Sequence, residues 1–260
     1  MTLNATADIT NVDLMHATAL RLLNRPSGSD GLAVMFGPSG YGKTQAATQA
    51  YLRHNGYFVR VSDSWTCKTF LQKVLAEMDI QAGCTTSAML DQVAQQLSTS
   101  QRPLIIDEAD YAADKPRLIQ LIRDIHDTSW RASIVLVGEE ALPHKLAKWE
   151  RVHSRVLDWV PAQPVSLADA RKLAPIYCAD LPVADCLLQR VVDEARGSVR
   201  RVGNNLNLIR EEGLAEGWDV ATLEVWGPGR CTTAKHRPGD CRNDRAPQRP
   251  QTGSTGTGRR

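Results

Sequence analysis

Apolar positions along the chain fall into short runs, separated by longer stretches in which apolar residues recur every three or four positions. The runs are Leu32 to Phe36, Tyr57 to Val61, Leu104 to Ile106, Ile134 to Val137 and Val156 to Val160. Runs without polar alternation predict strands buried on both faces, and helical periodicity between them predicts crossover helices. Together they predict an α/β fold with a parallel five-stranded sheet covered on both sides. Two helical segments, Thr66 to Met78 and Thr86 to Leu97, fill the space between the second and third runs, where one would suffice. Pro161 and Pro164 end the alternation, and Ser166 followed by Asp169 reads as a capping box opening a helix. Only helical periodicity follows, over Leu167 to Ala174, Val183 to Ala195 and Val199 to Glu212. Val12 to Asn24 reads as one amphipathic helix ahead of the first strand. The predicted organisation is a lead-in over 1–30, an α/β domain over 31–161, a small helical lid over 162–227 and a tail over 228–260.

Composition narrows the class. At 42% hydrophobic and 23% charged, 260 residues suffice for one core and a small second domain. No stretch approaches the roughly 18 apolar residues of a membrane span, and MTLNATADIT lacks the regions of a signal peptide, so a cytoplasmic protein is expected, without a membrane partner. The six cysteines contain no C-x-x-C pair and read as reduced thiols. The net charge of +2 is unevenly placed: from Pro228 onward eight Lys or Arg face two Asp, which leaves the body near −4. That tail is poor in large aliphatics and is expected to be disordered, either as a solubilising end or as a weak electrostatic contact to nucleic acid.

The stretch GPSGYGKT (Gly37, Pro38, Ser39, Gly40, Tyr41, Gly42, Lys43, Thr44) fits G-x-x-x-x-G-K-[ST] between a predicted strand and a predicted helix. Its glycines let the backbone wrap a polyphosphate with N–H groups pointing inward, at a helix end that already favours anions. ATP with Mg²⁺ is the expected ligand pair, Lys43 holding the β- and γ-phosphates and Thr44 the metal. The stretch PLIIDEADY puts Asp107 at the end of a buried strand, where open α/β sheets bind ligands, with Glu108 next to it. Asp107 is placed to hold Mg²⁺ through water, and Glu108 to polarise the water that attacks the γ-phosphate.

Two arginine pairs extend the pattern. In RGSVRRVGNNL, Gly197 stops one helix, Ser198 caps the next, and Arg200 and Arg201 occupy its first turn. Adjacent helical residues point about 100° apart, so one of them can face a phosphate, and Arg200 is the choice over solvated surface arginines. In WERVHSRVLDW, Arg151 and Arg155 are four apart, with Arg155 the last residue before the fifth run. That position is too far along the sheet to serve its own phosphate site, so Arg155, with Arg151 as the alternative, reads as an arginine delivered to a neighbouring subunit. The competing reading is a helix end paired with Glu150 or with the macrodipole.

These motifs resemble the AAA+ P-loop ATPases: GPSGYGKT, the strand ending in Asp107–Glu108, Ser154–Arg155 before the fifth strand, and Gly197 to Arg200 in a lid. The paired helices after the second strand resemble the initiator and transposition branch. RPLIIDEADY, LVGEEALPHKLAKWERVHSRVLDWVPAQP and GSVRRVGNNLN are most similar to the B transposition proteins of Mu-like bacteriophages, related to the TnsC and TniB transposon ATPases. The resemblance spans roughly residues 10 to 227. It implies an ATPase that binds double-stranded DNA with little sequence preference, forms helical filaments or rings on it, and recruits a transposase. It also implies that Arg155 is the arginine finger and Arg200 the lid sensor. The chain departs from the pattern after the fourth strand, where Glu139 and Glu140 replace a neutral sensor residue; an ionised Glu cannot donate a hydrogen bond to phosphate. The additional helix-turn-helix domain of the phage protein is not expected within the thirty or so residues before the first strand.

A mildly acidic body argues against tight DNA binding by a monomer, because nonspecific affinity is built from phosphate contacts. Repetition along a filament answers this by avidity. In related ATPases the segment after the second strand faces DNA, and here it offers Thr66, Lys68, Thr69 and Lys73, or else an ordinary amphipathic helix with exposed lysines. A helicase loader or replication-initiator ATPase is the alternative function, and a secretion accessory ATPase a more distant one.

Overall fold

The computed structural model describes residues 7–26, 28–130 and 132–227. In chain order the elements begin α1 Thr10–Leu23, β1 Leu32–Phe36, α2 Lys43–Arg53, β2 Tyr57–Arg60, α3 Cys67–Glu77, α4 Thr86–Ser100 and β3 Leu104–Asp107. They continue with α5 Asp110–Ala113, α6 Pro116–Thr128, β4 Ile134–Gly138, α7 Leu142–Ala147, α8 Glu150–His153 and β5 Val156–Pro161, and end with α9 Leu167–Tyr177, α10 Asp185–Ala195, α11 Val199–Glu216 and α12 Leu223–Trp226. The predicted tail over 228–260 lies outside the described residues, as do Cys231 and Cys241.

All five strands are parallel, in the order β2-β3-β4-β1-β5. Successive residues of a strand face opposite sides of the sheet, so each strand feeds two cores. Ala33 and Met35 of β1, with Ile105 and Val137, meet α1 through Val12, Met15 and Leu22, and α2 through Ala46, Ala47 and Ala50. The small alanines let α2 lie close on the sheet. Leu32 and Val34, with Leu104, Ile106 and Leu136, meet α3, α4 and α6 through Phe70, Leu71, Met89, Val93, Leu118 and Ile122. Every residue of β3 and β4 is buried, which is why these strands read as uninterrupted apolar runs. Each fully buried Leu, Ile or Met contributes about 1.5–3 kcal/mol of transfer free energy.

The paired helices after β2 are present, each started by a threonine: Thr66 Oγ1 accepts from Thr69 N at 3.2 Å, and Thr85 Oγ1 from Ala88 N at 3.2 Å. Past β5 the chain turns into α9, α10 and α11, and the Ser166–Asp169 capping box is formed. Asp169 also reaches back to the start of α1, accepting from Thr10 N at 2.8 Å and Thr10 Oγ1 at 2.9 Å. Burial opposes ionisation of Asp169, yet hydrogen bonds from the backbones and hydroxyls of Ser166 and Thr10 hold its carboxyl below the usual range. Asn11 completes the strap: its Nδ2 donates to Tyr41 O and Gln163 O at 2.8 Å each, and its Oδ1 accepts from Gln163 N at 2.7 Å. Thus α1 ties the loop after β1, the segment after β5 and the first lid helix together. Among the described residues no helix is long and apolar enough to cross a membrane.

Candidate nucleotide site

Parallel strands deliver their C-terminal ends to one edge of the sheet, and the sequence motifs sit there. Gly37, Gly40 and Gly42 all take positive φ, +154°, +86° and +85°. A Cβ on Gly40 would stand 2.5 Å from Ser198 Oγ, and one on Gly37 3.0 Å from Ala162 Cβ. The loop therefore needs glycine both for its turn and for the closeness of its walls. Lys43 opens α2 and donates from Nζ to Gly37 O at 2.6 Å and Pro38 O at 2.8 Å, which lays it along the concave side of the loop. Burial lowers its pKa, and the carboxylates of Glu139, Asp107, Glu108 and Asp110 oppose that shift.

Asp107, 2% exposed, ends β3 directly across from this loop. Its Oδ2 accepts from Thr44 Oγ1 at 3.0 Å, while Oδ1 accepts from the Glu108 N–H at 3.1 Å. Glu108 follows in a left-handed conformation, φ +56°, uncommon for a side-chain-bearing residue and a form of strain often found at functional sites. Burial, then the neighbouring Asp107 charge, raises the pKa of Glu108, against the pull of Arg60. A carboxylate with increased basicity beside a hydroxyl–carboxylate pair that can hold a divalent cation suits proton abstraction from water. The glycine cradle, Lys43, and the Thr44–Asp107 pair fit a nucleoside polyphosphate with its metal.

The N-terminus of α11 meets the loop directly. Ser198 caps α11, its Oγ accepting from Arg201 N at 3.3 Å and donating to Gly40 O at 3.4 Å, and Arg200 N donates to Gly40 O at 3.2 Å. Arg200 is exposed, with no side-chain partner among the described residues, and its Cβ lies 3.8 Å from where a Gly40 Cβ would be. Arg201 turns back to Ala195 O at 3.4 Å. Of the two, Arg200 is the one beside the loop.

The second arginine pair is arranged differently. Helix α8 covers only Glu150–His153, so Arg155 lies beyond it. Its guanidinium grips Asp127 on α6 with two bonds, Nε to Oδ1 at 2.5 Å and Nη2 to Oδ2 at 2.7 Å, and Nη1 donates to Arg151 O. These bonds raise the Arg155 pKa and lower that of Asp127, whose burial acts the other way. Arg151 is exposed, and its side chain has no ion-pair or hydrogen-bond partner among the described residues.

Sequence reasoning missed three participants. Arg60 ends β2 in register with Asp107, and its Nε donates to Asp107 Oδ2 at 3.0 Å, the oxygen that Thr44 also uses. A basic residue inside the otherwise apolar run Tyr57 to Val61 was the available signal. Asp110, buried, accepts from the Glu139 N–H at 2.6 Å, and only glycine fits at 138, since a Cβ there would stand 2.3 Å from Asp110 Oδ2. Lys145 of α7 lies 3.4 Å from Asp110 Oδ1 and donates to Asp114 Oδ2 at 2.7 Å. Glu139 and Glu140 are themselves exposed.

Of the residues expected to face DNA, the Thr66 and Thr69 hydroxyls lie 3.0 Å apart at the cap of α3, whereas Lys68 and Lys73 are exposed. Lys73, with Arg60, Phe58, Trp65 and Glu77, lines a cavity of about 380 Å³ at the β2 edge. Cys67, Cys84, Cys178 and Cys186 are free thiols, and no metal-binding group of three or more His, Cys, Asp or Glu occurs among the described residues.

Residues 25–146 match the family model described as an AAA domain. The fold is that of the AAA+ P-loop ATPases. The AAA+ fold here is similar to that of the Aeropyrum pernix ORC2 protein in ADPNP–ADP complexes, with TM-score 0.62 and 18% identity over 85% of this chain and 68% of that one. The A. pernix ORC1 protein in complex with DNA gives TM-score 0.60 at 16% identity, over 81% and 61% of the two chains. The Thermotoga maritima RuvB Holliday junction branch migration motor gives 0.53 at 16%, over 84% and 67%. The chain spans between 61% and 68% of the first three of these similar structures, Cdc6p of Pyrobaculum aerophilum included. No curated protein matches the sequence.

Proposed function

We propose that this chain is an ATP-hydrolysing, DNA-binding AAA+ protein that assembles with its own copies on duplex DNA, recruits and activates a transposase there, and leaves the DNA on hydrolysis. The observation that carries the reading is the convergence of Lys43, Thr44, Asp107, Glu108 and the N-terminus of α11 around one loop. Lys43 holds the β- and γ-phosphates, the loop N–H groups bind the chain of phosphate oxygens, and Thr44 and Asp107 hold Mg²⁺. Mg²⁺ held by these two residues would supply positive charge against that of the phosphates. Glu108 accepts the proton of the attacking water, helped by its raised pKa. Arg200, beside Gly40, contacts the γ-phosphate from the lid, so closure depends on nucleotide. Glu139 supplies no donor, and hydrolysis is accordingly slow.

Arg155 is held within its own subunit by Asp127, which leaves Arg151 as the side chain available to a neighbouring γ-phosphate. Arg155 then anchors the segment that presents it. Lys68 and Lys73 on the exposed face of α3 contact DNA phosphates, and each subunit adds few contacts, so affinity comes from repetition. The transposition assignment is supported by the resemblance over 134–164. A replication-initiator role is the second reading, favoured by similarity to the ORC1, ORC2 and Cdc6p folds. The test of the shared core is complementation: Arg151→Ala and Lys43→Ala subunits, each inactive, are mixed and ATP hydrolysis is followed. Activity should reappear at interfaces where an intact Arg151 meets an intact Lys43; no recovery contradicts delivery of Arg151 in trans. Adding transposase or replicative helicase to DNA-bound protein separates the two roles.

A further inference from the structure

Helix α5 begins two residues after Glu108, and it grips the segment that carries Arg151 at three points. Lys145 of α7 donates to Asp114 Oδ2 at 2.7 Å and lies 3.4 Å from Asp110 Oδ1, while Trp149 Nε1, at the entrance of α8, donates to Ala113 O at 3.0 Å. Asp110 is 7% exposed, and its Oδ1 accepts no hydrogen bond, so Lys145 is its counter-charge. The other oxygen of the same carboxylate holds the Glu139 N–H at the end of β4. One buried carboxylate thus connects the Glu108 turn, the β4 edge facing Lys43, and the helix leading to Arg151. Asp110 is buried while Lys145 stays partly exposed, its side chain 26% accessible, so the pair ties a buried carboxylate to a surface helix, and a buried carboxylate is costly without such a partner.

We propose that Lys145 is a positioning residue that couples the cleavage centre of one subunit to the arginine it offers its neighbour. A change at Glu108 displaces Asp110, Asp110 carries Lys145, and α7 with α8 moves as a unit pivoting on Trp149 and Arg155. The occupancy of each site then sets the placement of Arg151 in the next, and ATP is used cooperatively. This rests on the trans role of Arg151 proposed above.

The experiment is steady-state ATP hydrolysis on duplex DNA as a function of ATP concentration, for wild type, Lys145→Met, Lys145→Arg and the charge-balanced double variant Lys145→Met with Asp110→Asn. Wild type should show a Hill coefficient above 1; Lys145→Met should fall to about 1, with kcat within about threefold. Lys145→Arg should restore the cooperativity. The double variant removes both charges of the pair and leaves no unpaired buried carboxylate, so it should regain the thermal midpoint of wild type while staying non-cooperative, which a purely structural role does not predict. Cooperativity unchanged in folded Lys145→Met, or restored together with the midpoint in the double variant, overturns the proposal, as does a non-cooperative wild type. If Arg151→Ala leaves hydrolysis unchanged, the trans reading fails first; if Arg151→Ala abolishes hydrolysis and Lys145→Met keeps its Hill coefficient, only the coupling fails.

Discussion

Replacing Gly40 by alanine tests whether the contact between loop and lid governs nucleotide binding. The residue sits at φ +86°, where an L side chain costs about 1–2 kcal/mol. The new Cβ would also stand 2.5 Å from Ser198 Oγ, the cap of α11. Turning that hydroxyl away removes a cap worth about 1 kcal/mol, and the alternative is to move the lid and with it Arg200. Gly28→Ala is the matched control, since Gly28 has φ +85° with nothing within 4 Å of its Cβ position. Both variants should lose the backbone term in urea unfolding, and Gly40→Ala should lose about 1 kcal/mol more. Titration with a fluorescent ATP analogue should show a loss of about fivefold for Gly40→Ala, since the extra term of about 1 kcal/mol compares with 1.4 kcal/mol per factor of ten, and none for Gly28→Ala. Equal behaviour of the two variants in both assays would refute the argument that the lid is seated on the loop.

Asp169 and Arg60 give two further expectations. The folded Asp169 carboxyl titrates below its unfolded value, so its contribution is fully present above about pH 4 and is lost as pH falls through the folded pKa. Asp169→Asn should therefore lower stability by about 1–3 kcal/mol at pH 7 and flatten the acid limb, read as urea midpoints between pH 7 and pH 3; an unchanged acid limb contradicts the strap's dependence on this carboxylate. The Arg60 side chain is 55% exposed, so its ion pair with Asp107 adds under about 1 kcal/mol of stability. It does occupy the oxygen that Thr44 shares, and Arg60→Gln should lower the Mg²⁺ concentration for half-maximal hydrolysis about threefold at fixed ATP; a raised requirement would show that Arg60 assists metal binding instead of competing with it.

How much of this was legible from sequence depended on the range of the interaction. The buried strands were readable because β3 and β4 meet apolar residues on both faces, and the phosphate loop because its glycines, Lys43 and Thr44 lie within eight consecutive positions. The capping box needed only Ser166 and Asp169. Strand β2 ends at Arg60, and β3 extends to Asp107, because register in a parallel sheet is set by the neighbouring strand. That register brings Arg60 to Asp107 across 47 positions, and no local pattern encodes it. The pairing of Arg155 with Asp127 arises likewise, from the packing of α8 on α6, which spacing along one helix could not express. Five short or unassigned helices, α5 to α8 and α12, were not separately resolved in the periodicity; four of them are six residues or fewer, below the length at which a helical period repeats.

The most direct measurement is electron microscopy of the protein on long duplex DNA, with ATP and Mg²⁺, without nucleotide, and with the Lys43→Ala and Glu108→Gln variants. Wild type should form filaments or rings only with ATP, Lys43→Ala should form none, and Glu108→Gln should form assemblies that persist because hydrolysis no longer releases them. Assembly independent of nucleotide, or none under any condition, would contradict an ATP-controlled polymer on DNA.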